Sequence, residues 1–157
     1  GYHPTTQLCL LALQDLVKAG DVVCDVGTGS AVLAIAAALL GAKRVVGLDN
    51  DTVAVEVAQA NVAHAGLAGS VVIIRAESPC AFAGKADLVV ANIIAKVLID
   101  LATELADVMK PNGLLVACGI VTERCSDVCD AFKSAGISVV DKRFDGDWVA
   151  LIGKREA

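Results

Sequence analysis

Apolar residues recur at helical spacing over residues 8–17 and stop at Gly20, and the short apolar run Val22–Val26 that follows predicts a buried strand. The same switch of period repeats down the chain. It predicts a helix over 31–40, a strand Arg44–Asp49, a helix over 52–65 halted by Gly66, and a strand Val71–Arg75. Further on it predicts a strand over 87–91, a helix over 97–109 halted by Pro111-Asn112-Gly113, a strand over 114–118, and a helix over 123–135 halted by Gly136. Strands that alternate with helices imply βαβ units and a parallel sheet. The chain closes differently: 138–144 and 148–154 both read as strands, with only Asp145-Gly146-Asp147 between them. No crossover helix fits there, so the last two strands must be antiparallel to each other. The expected architecture is α/β: a Rossmann-like, doubly wound, mostly parallel seven-stranded sheet with an antiparallel C-terminal strand.

Composition narrows this picture. A chain of 157 residues and 16.0 kDa is the size of one domain, spanning 1–157. With 56% apolar residues, a mean hydropathy of +0.68 and only 3% aromatics, the core must be built from Ala, Val, Leu and Ile, which suits helices packed closely on a buried parallel sheet. The longest apolar stretch, 31–40, is about half of the roughly 20 residues a membrane span needs. No membrane association is expected, and the opening Gly1-Tyr2-His3-Pro4 shows no secretory signal. The six cysteines contain no C-x-x-C pair and are expected to be reduced thiols, consistent with the cytoplasm. A formal charge of −5 disfavours a binder of phosphate backbones and leaves room for a basic protein partner.

Candidate chemistry begins at the end of the first strand, in Asp25-Val26-Gly27-Thr28-Gly29-Ser30. Small residues there let the backbone turn tightly and approach a ligand closely. The following strand ends in Gly47-Leu48-Asp49, which places a carboxylate 22 residues after Gly27, where it can accept hydrogen bonds from ribose hydroxyls. Both NAD and S-adenosylmethionine sites use this pairing. The dinucleotide fingerprint requires a third glycine where this chain has Val32, and Asp25 would repel a diphosphate while tolerating a cation. S-adenosylmethionine carries a sulfonium and an ammonium, so it is the cofactor these residues favour. Asn92 follows the fourth strand at the ligand-binding edge of such a sheet. Two readings stand for it: the N-cap of the next helix, or an amide aimed at the methyl group or the acceptor amine.

His3-Pro4-Thr5-Thr6, the glycine loop, Gly47-Leu48-Asp49-Asn50-Asp51 and Ala91-Asn92-Ile93-Ile94-Ala95 occur in that order. With Lys110-Pro111-Asn112-Gly113, Cys118-Gly119-Ile120 and the closing Trp148–Gly153 stretch, the chain resembles the ribosomal protein L11 methyltransferase family over essentially its whole length. The resemblance implies a class I methyltransferase domain that moves methyl groups from S-adenosylmethionine to amines of a ribosomal protein, both the α-amino group and lysine side chains. It places the family's N-terminal recognition domain outside these residues. Carried over by motif, cofactor contacts fall on Thr6, Gly27, Asp49 and Asn92. Asp25, Thr28, Gly29 and Asn50 beside them complete the candidate set, with Asn92 also the catalytic candidate. Glu77, after the third strand, is a candidate near the adenine, against the simpler reading of a solvated carboxylate. Ala31 and Asn112 stand where relatives often have glycine, which a loop absorbs if those positions do not need positive φ.

Methyl transfer from a sulfonium is an in-line displacement with an already activated donor, so the protein chiefly aligns the partners and needs no nucleophilic side chain. The acceptor amine must be unprotonated, at a cost of about 4 kcal/mol for a lysine near neutral pH against about 1 for an α-amine. Asn92 and neighbouring carbonyls are expected to hold that amine, and no proton-abstracting base is assigned. His3 reads as part of the Pro-Thr-Thr turn, and His64 as a late-helix residue placed for favourable interaction with the helix dipole. Cys125 and Cys129 have no second ligand pair nearby, so no metal site is expected. A small-molecule methyltransferase, and a cofactor-binding domain without catalysis, remain as alternatives.

Overall fold

The computed structural model describes residues 3–82 and 85–157; the opening Gly1-Tyr2 pair lies outside the described residues. The elements run α1 (Pro4–Leu16), β1 (Val22–Val26), α2 (Val32–Leu39), β2 (Arg44–Asp49), α3 (Thr52–His64), β3 (Val71–Arg75), β4 (Ala86–Asn92), α4 (Ala95–Asp100), α5 (Ala102–Val108), β5 (Met109–Val121), α6 (Cys125–Ser134), β6 (Ile137–Asp145) and β7 (Trp148–Arg155). The seven strands form one sheet in the order β3-β2-β1-β4-β5-β7-β6. Strands β1 to β5 pair in parallel, and β7 is antiparallel to both of its neighbours.

Period-two alternation sorts the strand residues onto two faces, each with its own core. Val23, Leu88, Val90, Val116 and Ile152 pack under α1, α2 and α3. Cys24, Val89, Ala91, Leu115 and Leu151 pack under α4, α5 and α6. Both faces are covered, which is why the central strands read as continuous apolar runs. Chain order reverses between β1 and β4, so their C-terminal ends diverge and leave a crevice.

Four local expectations need correction. The single helix expected over 97–109 is two, because Leu101 leaves the helical conformation (φ −95°, ψ 2°) and serves as C-cap of α4 and N-cap of α5. Pro111-Asn112-Gly113 does not precede β5 but lies within it: pairing with β4 jumps from Ala86↔Met109 to Leu88↔Leu114, so the turn residues form a bulge. The strand also runs on past Cys118 to Val121. Finally, Ala31 and Asn112 do adopt positive φ, 70° and 64°. Ala31 is the left-handed N-cap of α2 rather than its first residue, held there by full burial and by its N–H donating to the Thr28 carbonyl at 2.9 Å.

Candidate cofactor and active site

The glycine loop is fastened to β2 before any ligand is considered. The Gly27 and Thr28 N–H groups donate to the Leu48 carbonyl at 2.8 and 2.9 Å. Gly29 N–H donates to Asp49 Oδ2 at 3.0 Å, and Asp51 N–H donates to Asp49 Oδ1 at 3.0 Å. Asp49 therefore joins the loop after β1 to the start of α3, with each oxygen retaining capacity for a further donor. Gly47 makes this packing possible: a Cβ there would lie 2.8 Å from Thr28 Oγ1 and 2.7 Å from Ile73 Cδ1.

Asp25 and Thr28 lie beneath the loop, 1% and 7% exposed. Thr28 Oγ1 donates to Asp25 Oδ2 at 2.8 Å, and the Ala34 N–H also reaches the carboxyl. Burial pushes the Asp25 carboxyl up to about 7, helped by the nearby Asp49 charge and opposed by the hydrogen bonds from Thr28 and Ala34. A carboxyl raised in the folded state contributes stability that is fully present below its unfolded value of about 3.9 and is lost as pH rises through about 7. Asp25→Asn, neutral at every pH, is expected to gain on the wild type between pH 5 and pH 8 by on the order of 2 kcal/mol. Urea denaturation across that range tests this, and parallel stability curves would contradict it.

In front of the loop, at the ends of β1, β2 and β4, lies a cavity of about 280 Å³. Val26, Gly27, Leu48, Asp49 and Asn50 line one side, Ala76–Pro79 form the rim after β3, and Ile93, Val97 and Leu101 close it. Glu77 is on that rim, with its side chain 71% exposed and paired with Arg75 at 2.7 Å. Thr6 and Asn92 meet beside the cavity: Asn92 Nδ2 donates to Thr6 Oγ1 at 3.4 Å. Ile93 connects the two places, following Asn92 in the chain and lining the cavity. The helix-cap reading of Asn92 is overturned, because α4 has Ile94 as its N-cap and Asn92 is the last residue of β4.

The first turn of α1 is anchored over the same sheet edge. His3 Nδ1 accepts from Thr5 N–H at 3.2 Å, and its ring meets Trp148 edge-on with centroids 4.9 Å apart. The positional reading of His3 thus has a physical basis, as does that of His64 in the last turn of α3. The structure brings Gly27, Asp49, Asn50 and Glu77 to the cavity and Thr6 and Asn92 to its flank, and sets Asp25, Thr28 and Gly29 behind it. Ala76, Ser78, Pro79, Val97 and Leu101 were not among the expected residues. Of these, Ala76, Ser78 and Pro79 were accessible from the rule that ligands bind beyond the carboxyl ends of the strands.

A glycine loop at the switch point, a carboxylate closing the next strand and an asparagine ending the fourth define a Rossmann-like domain of the methyltransferase type. In comparisons with known proteins, residues 1–156 match the family model described as "Ribosomal protein L11 methyltransferase (PrmA)". The chain belongs to the ribosomal protein L11 methyltransferase family. Relatives of that name from Heliobacterium modesticaldum and Pelotomaculum thermopropionicum are each 46% identical, over 99% and 100% of this chain. The chain spans about half the length of these relatives, 49% and 51%. Among solved structures, the ribosomal protein L11 methylase of Lactobacillus delbrueckii subsp. bulgaricus superposes with a TM-score of 0.88 at 33% identity, covering 100% of this chain and 81% of that one. An RNA methyltransferase from Salinibacter ruber in complex with S-adenosyl-L-homocysteine shares the fold, at TM-score 0.75 and 19% identity, over 98% of this chain and 94% of that one.

Proposed function

We propose that this chain is the catalytic half of a protein N-methyltransferase that uses S-adenosylmethionine to methylate amines of ribosomal protein L11, on its α-amino group and lysine side chains. The observation that carries the reading is the joining of the Gly27–Asp49 cavity to Asn92 through Ile93 at the sheet's switch point. The lining fits the cofactor: apolar Leu48, Pro79, Ile93 and Leu101 suit a base, and Asp49 is the carboxylate for ribose hydroxyls. Gly27 leaves no side chain between the loop and Ile93, since a Cβ there would lie 2.8 Å from Ile93 Cγ2. When bound, S-adenosylmethionine supplies a methyl group already activated on a sulfonium.

The protein's own contribution is then to bind, orient and desolvate. Asn92 spends an amide hydrogen on Thr6, which turns its Oδ1 free to accept from the incoming amine. An acceptor oxygen in a partly buried place holds the neutral amine with its lone pair directed forward, and desolvation reduces the amine's hold on its proton. Among the described residues no helix is long and apolar enough to cross a membrane, and a ribosomal protein substrate suits a cytoplasmic enzyme.

Calorimetry with S-adenosylmethionine, S-adenosylhomocysteine and NAD, followed by transfer of labelled methyl groups to purified L11, tests the proposal. Binding of the first two with methylated L11 is the expected result. Heat with NAD alone would overturn the cofactor assignment. Cofactor binding with transfer only to small amines would favour a small-molecule enzyme, and binding without any transfer would leave a domain without catalysis.

A further inference from the structure

Asn92 can orient an acceptor only if the backbone that follows it is held, and the structure shows what holds it. Strand β4 pairs with β5 as far as Asn92↔Cys118, and the next residue of β5 is Gly119. Gly119 falls in the irregularity of the β5–β7 ladder between Ala117 and Ile120, with φ +80°. A Cβ at Gly119 would lie 2.5 Å from the Ile93 carbonyl oxygen, 2.9 Å from its carbon and 3.1 Å from the Ile93 nitrogen. These are main-chain atoms and cannot rotate out of the way as a side chain would. On its other side, Ile93 Cγ2 fills the space that a Cβ on Gly27 would need. Ile93, the residue after Asn92, is therefore seated between two glycines: its main chain lies against Gly119 at the bulge of β5 and its side chain against Gly27 after β1.

We propose that Gly119 is a positioning residue for methyl transfer: its missing side chain lets Ile93 lie against β5 and so sets the Asn92 amide at the reacting centre. The main-chain atoms of Ile93 are what a Gly119 side chain would meet, so the route assigned to Gly119 runs through Ile93 to Asn92. The Asn92–Thr6 hydrogen bond, at 3.4 Å, is already at the long end of the range, so a shift of a few tenths of an ångström in Ile93 is enough to lose it. Misplacement by about 1 Å costs on the order of 100-fold in rate where alignment is the main catalytic device. This inference rests on the proposed role of Asn92.

The experiment compares Gly119→Ala and Gly119→Asn with Gly136→Ala. Asparagine tolerates positive φ better than alanine while still carrying a Cβ, so Gly119→Asn decides the matter should Gly119→Ala fail to fold. Gly136 has φ +86° with nothing within 4 Å of its would-be Cβ, so its replacement reports backbone strain without the collision. Methyl transfer to L11 and affinity for S-adenosylhomocysteine are measured for each. Both Gly119 variants are expected to lose kcat about 10- to 100-fold with cofactor affinity within about threefold, while Gly136→Ala keeps its kcat. Placed on an Asn92→Ala background, Gly119→Ala should cost less than about twofold more, because the group it positions is gone. Unchanged kcat in the Gly119 variants, an undiminished loss on the Asn92→Ala background, or a parallel collapse of cofactor affinity would overturn the proposal. Wild-type kcat in Asn92→Ala by itself would remove the assigned role of Asn92 and, with it, the route by which Gly119 acts.

Discussion

Asp49→Ala is expected to weaken S-adenosylhomocysteine binding by about 100-fold or more. Hydrogen bonds to a charged group contribute about 1.5–3 kcal/mol each, and two from a ribose diol are enough for a change of that size at about 1.4 kcal/mol per tenfold. The substitution also unties the site, because Gly29 N–H and Asp51 N–H both donate to this carboxylate. Two losses therefore act together: the ligand's acceptor disappears, and the loop that must sit against the ligand is no longer held. Asp49→Asn separates them, since the amide keeps one acceptor oxygen; it should lose about tenfold. Calorimetry and ligand-dependent melting measure both variants. Affinity within about threefold of wild type for Asp49→Ala would show that the cofactor lies elsewhere.

Asn92→Ala should lower kcat by about 100- to 1000-fold while leaving cofactor affinity within about fivefold, the scale seen when one preorganised hydrogen-bonding group is deleted from a reacting centre. The asymmetry follows from position. Asn92 is the last residue of β4 and flanks the cavity beside Thr6, whereas the base and ribose contacts come from β1, β2 and the rim after β3. Asn92→Asp gives a sharper test: a carboxylate stabilises the ammonium form of the acceptor, so the pH–rate profile should move to higher pH. Single-turnover kinetics with bound cofactor distinguish this from weaker substrate binding. Equal losses in kcat and cofactor affinity would mean that Asn92 is a cofactor contact without a part in orientation.

Much of this site was legible in the chain because its signals are local. The Gly27–Gly29 loop, Asp49 and Asn92 each close a predicted strand, and a strand end in a parallel α/β sheet is already a statement about where ligands bind. The failures share a different origin. Pro111-Asn112-Gly113 is a sound turn signal, but pairing of β4 with Met109 on one side and Leu114 on the other recruits it into a strand as a bulge. Leu101 sits within a continuous helical pattern with no breaker residue, yet in the fold it caps two helices and lines the cavity. Ala31 lacks glycine's freedom, yet a fully buried seat and one hydrogen bond hold it at positive φ.

The sequence by itself determined the alternation of strands and helices, the reversed final strand and the residues that end the strands facing a ligand, because periodicity and turn chemistry act over a few neighbours. Tertiary structure decided what those residues touch. It buried Asp25 beneath the loop it was expected to serve directly, raised its carboxyl, and set Ile93 between Gly27 and Gly119, residues 92 positions apart in the chain. Burial and close approach of this kind depend on strands brought together by a crossover, and no local pattern encodes the distance between two backbones that meet only in the folded sheet.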